Sequence, residues 1–323
     1  MSNLSNLEGQ AVLVTGAAGC IGAWTIKLLT EIGAVPVVFD LTDNRQRLEL
    51  IMDDSQSVTW ELGDITDFDR LQAVADKYNV EAIIHLAALQ VPFCKADPVG
   101  STKINVIGST HILELARQRG ITRLSYASSI AAQAMGDNDW LATLYGAHKV
   151  CTEQMSAVYW QDWGVPSVGI RPAIIYGPGR DQGMSSAPTV AMLAAAVGDA
   201  YQIPFSGNIS YVHVEDAALR FVTAASKSYG GAYVFDLDGT PADIVQVINL
   251  IESEQKGAAI SYTGNAMPFP AEPDNLKLNQ FLDIPGCRSM AQGVADTMLV
   301  FEQAKHRGVD LKKLLDATIR RNP

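Results

Sequence analysis

The first half of the chain alternates short apolar runs with longer amphipathic segments. The apolar runs are almost continuously hydrophobic, which is typical of parallel strands buried on both faces. The predicted strands are Ala11–Thr15, Val35–Asp40, Val58–Leu62, Ala82–Leu86, Arg123–Ala127 and Ser167–Arg171. The segments between them have helical periodicity, and the predicted helices are Ile21–Ile32, Asn44–Met52, Asp67–Tyr78, Pro98–Gln118 and Leu144–Trp163. This alternation predicts an α/β fold with right-handed crossovers and a doubly wound parallel sheet.

The pattern changes after Pro172, where residues 175–180 form a turn-rich break. Beyond the break the predicted helices are Pro188–Val197, Glu215–Ser226, Ala242–Glu252, Met290–Arg307 and Leu311–Arg320, and the predicted strands are Tyr211–Val214 and Ala232–Asp236. Earlier, Asp137–Asp139 is expected to be a loop. We predict a first domain at 1–172, with 231–256 rejoining its sheet. A smaller, partly interleaved C-terminal domain, formed by 173–230 and 257–323, is expected to bind substrate.

Composition narrows the class of protein. The chain has 323 residues, 48% of them hydrophobic, which is enough for a large core. The formal net charge is −11 and no basic cluster is present, which argues against nucleic acid and membrane surfaces as partners. The cysteines form no C-x-x-C pair and have no histidines at metal-binding spacing; they are Cys20, Cys94, Cys151 and Cys287. With no signal-peptide pattern at the N-terminus, we expect a cytoplasmic protein with reduced thiols and no metal.

A glycine-rich turn follows the first predicted strand. Gly16, Gly19 and Gly22 are spaced three residues apart, directly after the strand and at the start of an amphipathic helix. Glycines at this spacing allow a tight turn and let the backbone approach a pyrophosphate, which the helix N-terminus then binds. The position of the turn between a strand and a helix therefore predicts a dinucleotide-binding domain of the Rossmann type.

The second predicted strand ends at Asp40, where a carboxylate would accept hydrogen bonds from the adenosine ribose. A carboxylate there repels a 2′-phosphate, so the cofactor is expected to be NAD, with NADP less favoured. Arg45 and Arg47 lie close by in the sequence and would suit a 2′-phosphate instead.

A second motif lies on the helix Leu144–Trp163. Tyr145 and Lys149 are four residues apart, so their side chains share one face of the helix. A free phenol has a pKa of about 10, and a nearby ammonium and the positively charged nicotinamide are expected to lower it. Ser129, with Ser128 as the fallback, ends the preceding strand and would orient the substrate oxygen. Ser129, Tyr145 and Lys149 are therefore the predicted catalytic residues.

The glycine turn and the Tyr-x-x-x-Lys motif resemble the extended short-chain dehydrogenase/reductase superfamily, whose members are often called NAD-dependent epimerase/dehydratases. Similar segments include Gly63–Ile65, His85–Ala88, Asn105, 171–179 and 212–217. The resemblance implies a cofactor site formed by Gly16, Gly19, Cys20, Ile21, Gly22, Asp40, Asp64, Ile65, Leu86, Ala87, Ala88, Asn105, Tyr145, Lys149, Pro172 and Ile174. Superfamily members often dimerise through a four-helix bundle. Here it would use the helices of Asn105 and Tyr145, with Ile104, Ile107, His111, Ala157 and Trp160 on its surface.

Departures from the family pattern narrow the expected reaction. Family dehydratases have an acidic pair after the catalytic Ser/Thr, and this chain has Ile130-Ala131 there. Family 4-epimerases usually have an arginine where this chain has Asn208–Ser210, although Arg180 is a candidate replacement. We therefore expect an NAD-dependent oxidoreductase acting on a sugar, sugar acid or similar small hydroxylated molecule. The alternatives are an epimerase that recycles its cofactor and a cofactor-binding protein without turnover. Candidate substrate contacts are Gln90, Ser128, Ser129, Arg180, Gln182, Ser185 and Thr189.

Three histidines need separate treatment. His85, in a predicted buried strand, is expected to be a hydrogen-bonded core residue, and His148 a packed or solvent-edge residue rather than a catalytic one. His213 and Asp216 are a possible metal pair, but the sequence offers no third ligand.

Overall fold

The structure, a computed structural model, describes residues 2–133, 141–237, 239–267 and 276–321. The expected loop at Asp137–Asp139 lies outside the described residues. The strands are β1 (Ala11–Thr15), β2 (Val35–Asp40), β3 (Thr59–Leu62), β4 (Ala82–His85), β5 (Leu124–Ala127), β6 (Ser167–Pro172), β7 (Ile174–Tyr176), β8 (Tyr201–Ile203), β9 (Asn208–His213), β10 (Ala232–Leu237), β11 (Thr240–Asp243) and β12 (Ile260–Tyr262).

The α-helices are α1 (Cys20–Glu31), α2 (Gln46–Ile51), α3 (Phe68–Tyr78), α4 (Val91–Ala96), α5 (Pro98–Thr102), α6 (Gly108–Arg119), α7 (Leu144–Trp163), α8 (Ala187–Val197), α9 (Val214–Ala224), α10 (Ile244–Glu254), α11 (Leu276–Leu282), α12 (Met290–His306) and α13 (Leu311–Arg321). In this described part, no helix is both long and apolar enough to cross a bilayer.

Seven strands form one parallel sheet in the order β10-β6-β5-β4-β1-β2-β3. The chain runs outward from β1 in one direction through β2 and β3, and then in the other through β4, β5 and β6. This topology confirms the predicted doubly wound Rossmann fold. In such sheets ligands bind at the carboxyl ends of the strands where the direction reverses, which here is between β1 and β4.

The predicted helix Pro98–Gln118 is interrupted in the structure. It consists of α5, a π-helical segment at Lys103–Ile107, and α6. Helix α4, which was not predicted, ends at Ala96, and Asp97 is the one residue between it and the start of α5 at Pro98. The Asp97 side chain accepts a hydrogen bond from Gly100 N, and Pro98 occupies a first-turn position, so the chain restarts a helix there.

The C-terminal part contributes two small sheets that the sequence analysis did not predict. Strand β7 falls inside the turn-rich break and belongs to the sheet β11-β9-β7, and β12 pairs with β8. The predicted strand Tyr211–Val214 corresponds to β9, whereas β7, β8, β11 and β12 are only three or four residues long and were not predicted, because so short a run shows no clear periodicity. Strand β10 lies parallel to β6 at the edge of the large sheet. The domain boundaries themselves stay a prediction.

Candidate active site

The candidate active site lies at the carboxyl ends of β1, β2, β4 and β5. The glycine turn follows β1, Asp40 ends β2, Leu86–Ala88 follow β4, and Ser128-Ser129 follow β5. Thr15 and His85 are opposite each other in neighbouring strands, and the Thr15 Oγ1–His85 Nδ1 hydrogen bond measures 2.7 Å. His85 also contacts Ser109 Oγ at 3.2 Å, which confirms it as a hydrogen-bonded core residue.

Close backbone contacts require glycine at two positions of the turn, Gly16 and Gly22. Gly16 has φ +70°, and a Cβ there would lie 2.6 Å from Ala87 N. A Cβ at Gly22 would lie 2.5 Å from Gly16 O, whereas one at Gly19 would meet only that same oxygen, at 2.9 Å. Gly19 is the N-cap of α1, and no side chain caps the helix. The first amides of α1 are therefore without a side-chain acceptor, as a pyrophosphate site requires.

Asp40 lies beside this turn and accepts a hydrogen bond from Ala18 N at 3.0 Å. Burial raises the pKa of its carboxyl, and hydrogen bonds from the backbone of Ala18, Thr42 and Leu41 oppose the shift. Asp40 is therefore where a carboxylate can meet ribose hydroxyls next to the glycine turn.

The two nearby arginines are both engaged elsewhere. Arg45 binds Asp43 and the carbonyl of Ser55, each at 2.6 Å, and its guanidinium stacks over the Trp60 ring at 4.8 Å. Arg47 donates to Ala18 O at 2.6 Å, to Gly179 O at 3.0 Å and to Asp181 Oδ1 at 2.6 Å. Arg47 thus joins the glycine turn to the loop after β7, a contact that the sequence did not reveal.

The remaining expected cofactor residues differ in their exposure. Asp64 is exposed and caps its own turn through Thr66 N at 2.8 Å, while Ile65 is buried. Asn105 is 2% exposed, and its side-chain amide is bonded to both Leu89 N (2.7 Å) and Leu89 O (2.9 Å). Because these contacts use its polar atoms, Asn105 holds the segment after β4 in place instead of facing a ligand directly.

The predicted catalytic residues come together at the start of α7. Thr143 caps this helix by accepting from Gly146 N at 3.1 Å, which places Tyr145 in its first turn. The Ser129 hydroxyl accepts from Ala131 N at 3.1 Å and lies close enough to the Tyr145 phenol to lower its pKa. Lys149 Nζ lies 5.5 Å from the centroid of the Tyr145 ring and donates to Ala127 O at 2.6 Å. A hydroxyl, a phenol and an amine therefore line one small volume beside β5.

Burial raises the pKa of Tyr145 to about 12, and the hydrogen bond from Ser129 and the charge of Arg180 lower it only in part. In the protein without NAD, desolvation therefore outweighs the neighbouring cations, and the expected lowering by the nicotinamide charge stays a prediction.

Burial lowers the pKa of Lys149 from 10.5 to about 8, against the opposing influences of Cys94 and Glu153. A lysine whose pKa is depressed in the folded protein binds fewer protons than in the unfolded chain, so stability rises with pH between about 8 and 10.5. We expect the free energy of unfolding of the wild type, relative to Lys149→Met, to rise by about 2 kcal/mol between pH ~7.5 and ~9.5.

Urea unfolding at the two pH values measures this difference. The matched control is Lys305→Met, which removes an exposed lysine from α12. Its difference from the wild type should stay constant with pH. A constant difference for Lys149→Met as well would show that the Lys149 ammonium is solvated in the folded protein.

Ser128 is directed away from the catalytic residues, so it does not fit its expected role as a substrate contact. Its hydroxyl donates to Glu153, which also accepts from Arg171 Nε at 2.7 Å and Nη2 at 2.6 Å. Glu153 is 6% exposed and lies one helical turn after Lys149. Sequence reasoning missed this residue, although its spacing of four from Lys149 was a signal that could have found it.

The loop after β7 brings a further cation into the site. Arg180 interacts electrostatically with both Cys20, at the start of α1, and Tyr145. Its Nη2 donates to Ser185 Oγ at 3.0 Å. Thr189 is buried and accepts from Gly177 N at 3.0 Å, so it stabilises the loop. Gln90 is exposed before α4, and Gln182 is half-buried in the loop.

His148 and His213 both make structural contacts. His148 is 4% exposed and contacts Thr102 Oγ1 at 3.0 Å and Asn105 Nδ2 at 3.3 Å. His213 packs against Tyr176, and Asp216 binds Arg288. The described residues contain no group of three or more metal-ligating side chains.

Comparison with known proteins places this geometry in a family. The NAD dependent epimerase/dehydratase family matches residues 12–234. The UDP-glucose 4-epimerase of Rhizobium leguminosarum bv. trifolii is 35% identical over 177 residues, a match that covers 51% of this chain and 52% of that protein. The chain thus spans about half the length of this curated relative.

Two solved structures have the same fold. The UDP-glucose 4-epimerase of Thermotoga maritima, solved with UDP-glucose, has a TM-score of 0.78 at 22% identity, covering 92% of this chain and 100% of that one. The L-threonine dehydrogenase of Clostridium difficile has a TM-score of 0.77 at 21% identity, covering 92% and 98%. An epimerase and a dehydrogenase thus share this architecture, and the family match over most of the chain identifies its class. The protein is an enzyme of the NAD-dependent epimerase/dehydratase family, within the extended short-chain dehydrogenase/reductases.

Proposed function

We propose that this enzyme is an NAD-dependent oxidoreductase acting at a hydroxyl or carbonyl carbon of a sugar, sugar acid or similar small polyhydroxylated molecule. Tyr145 is the acid/base that takes the hydroxyl proton in oxidation and returns it in reduction. Ser129 hydrogen-bonds both the phenol and the substrate oxygen, which fixes their relative position. Lys149, held by Ala127 O, lies against the phenol ring and stabilises negative charge on its oxygen.

The residues at the turn fit NAD. The uncapped start of α1 suits the pyrophosphate, and Asp40 beside Ala18 N suits the adenosine ribose. Arg45 and Arg47 have other partners, which favours NAD over NADP. When bound, NAD supplies the nicotinamide carbon that accepts or donates hydride, and a positive charge near the phenol.

The start of β9 has no cation, which favours a single oxidation or reduction over epimerisation. Where family 4-epimerases usually have an arginine, Ile209 and Ser210 are buried, and Ser210 Oγ accepts from Gly239 N at 2.9 Å. These positions pair with β11 and offer no cation to a nucleotide diphosphate. Without that anchor, a substrate that is oxidised or reduced once and then released suits the site best.

A second candidate, an epimerase that recycles its NAD, is favoured by the Arg47 contact. This guanidinium joins Ala18 O of the glycine turn to Gly179 O and Asp181, and a turn tied down in this way fits slow release of the dinucleotide. The curated relative reported above is a 4-epimerase, which fits this alternative.

Cofactor exchange distinguishes the two candidates without knowledge of the substrate. Bound NAD and NADP are quantified in the purified protein, and displacement by labelled NAD is then followed. Rapid exchange with micromolar affinity supports the oxidoreductase and justifies screening sugars and sugar acids for NADH formation. Stoichiometric NAD that resists exchange contradicts it and supports the epimerase.

We also propose a homodimer formed through α6 and α7. Ile107, at the end of the π-helical segment that leads into α6, and Val158 and Trp160 on α7 expose 39–47% of their surface, which supports an apolar contact there. A monomeric mass by light scattering at micromolar concentration would contradict the four-helix bundle. No disulfide joins the described cysteines, which supports a reducing compartment, and we propose the cytoplasm.

A further inference from the structure

The loop after β7 places one arginine in the middle of the candidate active site. Arg180 follows the turn at Gly177–Gly179, and its charge acts on the Cys20 thiol and on the Tyr145 phenol. The guanidinium therefore lies near both the start of α1 and the acid/base residue.

The hydrogen bonding of this guanidinium is incomplete. Its Nη2 donates to Ser185 Oγ at 3.0 Å, whereas its Nε is buried without a partner. Among the described ion pairs none involves Arg180, and the adjacent Asp181 pairs with Arg47 at 2.6 Å. Arg180 is half-buried, and a cation with a buried, unpaired donor is costly, so an anion that accepts its hydrogen bonds removes that cost.

A second arginine, Arg288, lies beside the start of α9, and its charge is already neutralised. Arg288 binds Asp216 at 3.1 Å, Glu215 at 2.8 Å and Asp296 at 2.6 Å. Since positions 208–210 also lack a cation, Arg180 and the Lys149 amine are the cations that the described part of the site offers to a substrate, and Lys149 is held by Ala127 O. One planar guanidinium matches one carboxylate in charge and geometry, whereas a diphosphate would need more than one cation.

We propose that Arg180 binds a carboxylate of the substrate beside the carbon at which Tyr145 acts, so that sugar acids and related hydroxy acids are selected over neutral sugars. This inference rests on the proposed oxidoreductase function. The pyrophosphate of the cofactor is another anion within the same site, because Cys20 begins α1. The experiment therefore measures the affinity for NAD and the affinity for carboxylates separately.

The variant is Arg180→Gln, with Arg320→Gln on the exposed face of α13 as the matched control. Each is compared with the wild type on sugar acids and on the corresponding neutral sugars. We expect Arg180→Gln to raise KM for the acids by roughly 10- to 100-fold. It should lower kcat/KM for neutral sugars by a much smaller factor, the part that comes from losing the charge that lowers the pKa of Tyr145, and leave the Kd of NAD unchanged. Arg180→Lys should recover part of the loss, and Arg320→Gln should match the wild type.

A binding measurement separates this inference from the proposed function. Calorimetric titration of the NAD complex of Tyr145→Phe with the same acids needs no turnover. Acids that bind, and lose affinity with Arg180→Gln added, support the carboxylate site even if no oxidation occurs. Oxidation of neutral sugars without any preference for acids overturns the inference and leaves the function intact. Loss of NAD affinity with an unchanged acid preference assigns Arg180 to the pyrophosphate and overturns it too, as does an acid panel without binding.

Discussion

Replacing Tyr145 with phenylalanine is expected to lower kcat by about 1000-fold, because the site then lacks the group that transfers the hydroxyl proton. The phenol hydroxyl is the only group removed, so the ring still packs beside Lys149. The Kd of NAD and the thermal midpoint should change little. Initial rates at saturating NAD, measured on any substrate found by the NADH screen, give the ratio directly.

The control for this variant is on the same helix. Tyr159→Phe removes a hydroxyl that contacts Glu114 Oε2 at 3.4 Å, on the part of α7 far from the glycine turn. It should retain the kcat of the wild type. Turnover of Tyr145→Phe at the wild-type level would remove the phenol from the mechanism and favour a cofactor-binding protein of another kind.

Replacing Gly16 with alanine is expected to destabilise the protein by about 3 to 5 kcal/mol and to abolish NAD binding. The residue has φ +70°, and its new Cβ would lie 2.6 Å from Ala87 N and 2.7 Å from Ala87 Cα. Both neighbours are backbone atoms, so relief requires β1 and the segment after β4 to separate. That movement would displace the turn on which the pyrophosphate site depends.

Gly120→Ala separates the backbone conformation from the close contact. Gly120 ends α6 with φ +63°, and nothing lies within 4 Å of a Cβ there. Its replacement should cost only about 1 kcal/mol and leave NAD affinity unchanged. Urea unfolding and NAD titration of both variants test the prediction. Equal losses of stability would mean that the contact with Ala87 contributes nothing.

The fold was largely predictable because its strands are local and periodic. Strands β1, β2, β4, β5 and β6 were each predicted within one residue or so at either end, since buried parallel strands are continuous apolar runs. The small sheets were missed, because β7, β8 and β12 are three-residue pairings created by neighbours distant in sequence. The π-helical segment around Asn105 was missed for the same reason.

The candidate site was predictable where its chemistry depends on spacing along one element. The glycine turn and the Tyr145–Lys149 pair are both of this kind. The structure places Tyr145 and Lys149 close to Ser129. Which of the two adjacent serines lies near the phenol was decided by a hydrogen bond, because the Ser128 hydroxyl donates to Glu153. The balance of pKa values was likewise decided by desolvation, which depends on all the atoms packed around a group.

By itself the sequence determined the doubly wound sheet, the dinucleotide turn, the carboxylate at the end of β2 and the Tyr-x-x-x-Lys motif, because each follows from residues close together in the chain. Only the tertiary structure decided that Arg47 binds both Ala18 and Asp181, the latter 134 residues after Arg47 in the chain. It also decided that Arg288 is neutralised and that Arg180 keeps an unpaired buried nitrogen. Contacts of this kind depend on how distant segments pack, and no local pattern encodes which partners a charged side chain will meet.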